Sequence, residues 1–279
     1  MLTRPVIFCM ALAAVHPLLP GAETADDPSY RLVWADEFDK DGPPDAASWE
    51  PEKGFLRNHE LQWYQAANAH CKNGILTIEA RREAVENPDH IPDSKDWKRK
   101  RRHSEFTSAS LTTSGKHAWR YGRFEMRGRI PVAQGTWPAF WTLGSAREWP
   151  GCGEVDVMEA YKGQLLANLV WGSGKRWVGR WDTAKVPLAD LGAGWEKDFH
   201  TWRMDWTAQR IVVSVDGRMV NESNLDERKN PDGTEPFREP HYLLLNLAIG
   251  GDAAGDPGGT EFPQRLEIDW VRVYEKKAP

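Results

Sequence analysis

Between Gly153 and Ala160 the chain reads Gly-Glu-Val-Asp-Val-Met-Glu-Ala, so that Glu154, Asp156 and Glu159 crowd into one short run. As a helix this run is poor. Glu154 and Asp156 would face different ways, and Val155 and Val157 are weak helix formers. As a strand it puts Glu154 and Asp156 on one face and the two valines on the other. Strict alternation would then send Glu159 inward, and a buried unpaired carboxylate costs several kcal/mol or stays protonated. One extra residue at or near Met158, a β-bulge, shifts the parity and brings Glu159 back beside the other two acids. A solvated strand face is the plainer alternative, but like charges on neighbouring same-face positions repel and acids are poor strand formers. Two carboxylates of different acidity can hydrolyse a glycosidic bond, one as nucleophile and one as general acid/base, when their carboxyl groups lie ~5–5.5 Å apart. The Cα atoms of Glu154 and Glu159 would be roughly 13 Å apart along a flat bulged strand, so their side chains must converge. A divalent cation site is the rival use of three acids, although no glycine-rich ligand loop accompanies them.

The elements that would carry this strand are short alternating runs separated by turn residues. They include Gly74–Ala80, Ser108–Thr113, Gly122–Ile130, His200–Trp206, Arg210–Val215, His241–Leu247 and Arg265–Tyr274. Asp216-Gly217 marks a hairpin. With no internal repeat and no long amphipathic helix, the pattern predicts an all-β protein, an antiparallel sandwich or barrel. Two polar stretches, Asn87–Glu105 and Asn221–Pro240, read as surface loops inside one domain of residues 30–276. The 15 Trp against 6 Tyr and 9 Phe exceed what a core needs, and sugars offer the flat apolar faces that spare indoles stack on. A net charge of −5 argues against a nucleic-acid partner. Residues 1–22 resemble a secretory signal, followed by a short linker over 23–29. Their apolar stretch from Pro5 to Val15 is too short to span a bilayer comfortably, and an N-terminal anchor is the alternative. A secreted or periplasmic monomer, with no membrane contact once the signal is cleaved, is therefore expected. Cys71 and Cys152 would remain, and their pairing is left open.

The acid run resembles the E-x-D-x-x-E signature of glycoside hydrolase family 16 in its longer, bulged form, typical of laminarinases. Further segments resemble that family in order: Trp34–Phe38 (WADEF), Asn58–Tyr64 (NHELQWY), Tyr121–Ile130, Gly135–Trp141 (GTWPAFW), Leu243–Gly251 (LLLNLAIGG), and Phe262–Gln264 through Ile268–Tyr274. The resemblance implies a jelly-roll sandwich of the concanavalin-like lectin and glucanase type, with a polysaccharide crossing a concave sheet. It implies Glu154 as nucleophile, Glu159 as acid/base, and Asp156 hydrogen-bonded to the nucleophile. It also implies sugar contacts at Asn58, on the non-reducing side, and at Trp137, Trp141, Trp149 and Gln264. Glu37 and Asp269 would hold a structural Ca2+ on the convex face; the chemistry itself requires no cofactor. Trp137 and Trp141 share a face only if the strand stays regular through Pro138.

One departure is plain. Family members commonly carry a His on the strand after the catalytic one, and Val170 stands there. The neighbouring subsite is then expected to use Trp171 and the loop Gly172–Trp177. The resulting expectation is a retaining endo-β-glycanase acting on β-1,3-glucan. A β-galactan or agar-type substrate is the alternative on the same machinery, and a non-catalytic lectin-like module is the alternative of another class. Arg176 and the Lys98–Arg102 cluster raise a sulfated or uronic glycan from charge alone.

Overall fold

The computed structural model describes residues 27–277. The expected signal, and residues 23–26 of the expected linker, lie outside them. The strands run in chain order β1 (Tyr30–Asp36), β2 (Glu50–Pro51), β3 (Gln62–Tyr64), β4 (Ala69–Lys72), β5 (Ile75–Glu86), β6 (His103–Ser108), β7 (Ser110–Thr112), β8 (Gly122–Arg129) and β9 (Thr136–Gly144). They continue with β10 (Glu154–Tyr161), β11 (Gln164–Lys175), β12 (Val178–Pro187), β13 (His200–Trp206), β14 (Arg210–Val215), β15 (Arg218–Asn224), β16 (His241–Ile249) and β17 (Gln264–Lys276). They form a ten-stranded and a seven-stranded sheet. The smaller sheet has the order β12-β11-β10-β9-β16-β7-β2, which puts the acid-bearing β10 near its centre.

Period-2 patterning explains the layering. In β13 the sequence His-Thr-Trp-Arg-Met-Asp-Trp alternates buried and half-buried residues without a break. The inner faces of the two sheets meet in one apolar core that includes Phe124, Phe140, Leu169, Trp202, Trp206 and Val271. Asp216 and Gly217 take positive φ (48° and 77°) between β14 and β15, the turn their residue types predict. One of the two expected loops is shorter than its composition suggests. β15 runs on to Asn224, and the buried Asn221 donates its side-chain amide to the Ala167 carbonyl of the opposite sheet (3.1 Å). Cys71 and Cys152 are both buried and free.

The bulge in β10 falls within one residue of its expected place. Against β11, Asp156 pairs with Asn168 and Glu159 with Leu166, three steps on one strand against two on the other. Against β9, Asp156 pairs with Trp141 and Met158 with Phe140. Val157 and Met158 therefore both enter the core, at 1% and 0% exposure. Their apolar anchoring holds the parity shift in place. Met158→Ala should cost ~2–5 kcal/mol, the usual range for emptying a buried Met site. Urea unfolding should show it as a lower midpoint at unchanged slope.

Candidate active site

The register of the small sheet sets three rows across its open face. Leu143, Glu154, Val170 and Trp181 form one; Trp141, Asp156, Asn168 and Thr183 the next; Ala139, Glu159, Leu166 and Lys185 the third. All three acids thus share that face. Pairing of β9 with β16 runs unbroken from Thr136 to Gly144, through Pro138, so Trp137 and Trp141 lie on it too.

Neutral donors hold the carboxylates. Asn168 Nδ2 donates to Asp156 Oδ2 (2.9 Å) and to Glu159 Oε2 (2.7 Å). Trp137 Nε1 donates to Glu159 Oε1 (2.6 Å), and Trp149 Nε1 to Glu154 Oε2 (2.7 Å). Asp156 and Glu159 are buried, whereas Glu154 keeps partial exposure. Removal from water pushes all three acidities weaker: Glu154 and Glu159 rise well above the carboxylate range, and Asp156 rises to about 7. The Asp156 charge is the second cause for both glutamates. The Trp149 and Trp137 bonds and the more distant Arg57 charge act the other way. Asp156 accepts from Asn168, whose amide also serves Glu159; no hydrogen bond among the described residues joins Asp156 to Glu154, the partner the resemblance implies.

The remaining expected residues divide. Trp141 is buried on the open face, where its Nε1 donates to Asn246 Oδ1 (2.7 Å) and the Arg57 guanidinium lies 5.1 Å from its ring. Asn58, exposed and at φ 52°, sits on the loop before β3, and its carbonyl accepts from Asp252 N (2.9 Å) just beyond β16. The basic Lys98–Arg102 segment braces that loop: Arg101 donates to the carbonyls of His59 (2.8 Å) and Glu60. Trp171 is a correction. Its parity, opposite to that of Val170, turns it into the main core, where the Arg228 guanidinium lies 5.1 Å from its ring. Gln264 begins β17 in the other sheet and donates to the Glu261 carbonyl (2.7 Å); no hydrogen bond links it to the acids among the described residues.

The expected calcium ligands do not fit a cation. Glu37 holds Arg272 through both carboxylate oxygens (2.7 and 2.8 Å), and Asp269 is bonded to Arg127. No group of three or more acidic, His or Cys side chains able to hold a metal occurs among the described residues. Arg176 is likewise spent, on Glu148 (2.8 and 3.2 Å).

Sequence reasoning missed Asn168. Its signal was present: it is the one polar side chain in Leu165–Trp171, two residues from Val170 and so on the face of the acids. It also missed Asn230, whose Oδ1 accepts from Gly172 N (2.7 Å) while its Nδ2 donates to the Gly151 carbonyl (2.9 Å). That clip ties the Trp149 loop to the end of β11, beside a cavity of about 410 Å3. A side chain at Gly172 would stand 2.7 Å from Asn230 Oδ1, so the clip requires glycine there. Asn230 lies too far along the chain from either partner for spacing to reveal it.

A β-sandwich whose open face gathers two glutamates and an aspartate beside indole rings is built as a glycoside hydrolase. The chain belongs to the glycosyl hydrolases family 16, whose model matches residues 57–272. It is 35% identical over 276 residues to a beta-glucanase of Rhodothermus marinus, covering 91% of this chain and 88% of that one. Among solved structures, the laminarinase catalytic domain of Thermotoga maritima aligns with a TM-score of 0.76 at 31% identity, over 90% of this chain and all (100%) of that one. A structure from work on endo-acting O-glycanases, with which prominent members of the human gut microbiota initiate mucin breakdown, aligns at 0.83 and 30% identity, over 90% and 92%.

The raised Asp156 has a stability consequence. Its folded pKa, about 7, lies above the ordinary 3.8, so between those values the native state keeps a proton that the unfolded chain has lost. Stability then falls as pH rises through that window. Asp156→Asn should flatten the decline, melting a few °C above the wild type at pH 8 and closer to it at pH 4, as thermal melts across pH would show.

Proposed function

We propose that the protein is a retaining endo-β-1,3-glucanase in which Glu154 is the nucleophile and Glu159 the acid/base. The observation that carries this reading is the unequal setting of two glutamates on one face. Glu159 is buried and shares the Asn168 amide with Asp156, whose charge helps it hold a proton; Glu154 is partly exposed, and the Trp149 donor and the Arg57 charge offset part of the rise that burial and Asp156 impose on it. Glu159 passes its proton to the glycosidic oxygen as Glu154 attacks the anomeric carbon, and the covalent glycosyl-enzyme forms as the leaving sugar departs. Glu159, now a carboxylate, takes a proton from water, which attacks the same carbon and frees Glu154 with retention. Asp156 keeps the Glu159 proton in place, and Asn168 fixes the pair. The likeness to the laminarinase and the beta-glucanase supports the sugar and linkage. Val170 in place of the usual His supports a second reading: a galactan-type β-glycan on the same machinery. A lectin-like module needs the indoles but not the three acids. Residues 1–22 support a secreted enzyme.

A reducing-sugar assay over β-glucans, galactans and sulfated algal polysaccharides tests the substrate. Laminarin is expected to be cleaved fastest, and a preference for agarose would select the second reading. On the best substrate, Glu159→Ala should lose ~10²–10⁴-fold in kcat, and Glu154→Ala at least as much. Unchanged turnover in either variant would remove the assigned roles. Trp137→Phe deletes a donor that favours ionised Glu159. Loss of that donor should move the alkaline limb of the pH–rate profile upward, and a limb that stays or moves down would show that Glu159 is not the acid.

A further inference from the structure

The exposed large apolar side chains of the described residues include two tryptophans, Trp177 (55% exposed) and Trp181 (54%). Their placement follows from register. Trp181 pairs with Val170, and Val170 with Glu154, so Trp181 stands on the Glu154 row two strands away, ~10 Å at the usual strand spacing. Alternation along β12 agrees, because Asp182 points the other way, to Ser223 (2.7 Å) and Arg228 (2.8 Å) under the edge of the second sheet. The indole of Trp181 lies back over Gly179. A Cβ there would stand 3.2 Å from Trp181 Nε1 and 2.6 Å from Val170 Cγ1, so the glycine makes room for both. Trp177 stacks on Trp149 (centroids 6.4 Å apart, planes 18° apart), and Trp149 is the donor to Glu154. An aromatic strip therefore runs from the acids to the sheet edge. Arg176, paired with Glu148, lies with its guanidinium 5.0 Å from the Trp177 ring, so the open indole face is that of Trp181.

Isolated from any partner, such a strip leaves apolar area in water at the mouth of a site, where flat C–H faces of sugars match indole faces. Asn58 and its loop lie on the opposite flank of β10, next to the end of β16. If the glycan's non-reducing side lies there, the β11–β12 flank receives the other side. We infer that Trp181, with Trp177 stacked on Trp149, is a binding platform for unsubstituted sugar rings on the leaving-group side of the scissile bond. The platform rests on the proposed glycan hydrolysis. It holds the departing fragment, and it equally holds an acceptor sugar that competes with water for the glycosyl-enzyme.

The test compares the polysaccharide that the wild type cleaves fastest with an aryl β-glycoside of the same sugar, whose leaving group is not a sugar. Trp181→Ala should lower the ratio of kcat/KM on polymer to that on aryl glycoside about tenfold, the size of one lost stacking contact with its buried area. It should also cut transglycosylation relative to hydrolysis at high oligosaccharide concentration, and Trp181→Phe should restore both. Affinity electrophoresis in gels containing the polysaccharide reads the platform without catalysis, and Trp181→Ala should run unretarded where the wild type is slowed. An unchanged ratio with unchanged retardation overturns the platform. So does an equal loss on both substrates, or a concentration-dependent dimer that Trp181→Ala abolishes without moving the ratio. A wild type that cleaves galactan but not glucan overturns the substrate reading alone, since the same ratio is then taken on galactan.

Discussion

Everything in the open face depends on holding three mutually repelling carboxylates together without a cation against them. Asn168 does most of this. One amide nitrogen serves Asp156 and Glu159 at once, while the two glutamates take a further indole donor each. An arginine or lysine in the same place would bind the acids more tightly, but would also fix them as spectators with depressed acidity. Neutral donors satisfy the oxygens and leave the protons free to move. The arginines are found elsewhere: Arg57 on Glu52, Ser110 and the Trp141 face, Arg272 on Glu37, Arg127 on Asp269.

The sandwich supports this by rigidity on both sides of β10. Its inward residues are anchored in a common core, and the extra residue is taken up by apolar side chains, not by a loop. The Asn230 clip and the Arg101 brace perform the same service at the two flanks, so that the loops bearing Trp149 and Asn58 are tied to backbone carbonyls and amides.

Much of this was legible in the residues. Alternation in Gly122–Ile130, His200–Trp206 and Arg265–Tyr274 reveals the sandwich, and the odd spacing of Glu159 reveals the bulge, because both are local consequences of period 2. The failures were long-range or parity errors. Adjacency to Val170 suggests the cleft for Trp171, whereas adjacent strand residues face opposite ways and the register sends it to the core. The partner of Asp156 was carried over from resemblance, whereas the register supplies Asn168. The pairing of Glu37 with Arg272 and of Asp269 with Arg127 is equally long-range and leaves no trace beside either acid along the chain.

Cys71 and Cys152 are free thiols, and burial pushes them up to about 11 and about 12. Thiolate is the reactive form, so both are poor nucleophiles and poor targets for oxidants. Among the described residues the architecture consequently owes nothing to cross-linking, and its cohesion rests on the apolar core and the sheet hydrogen bonds alone.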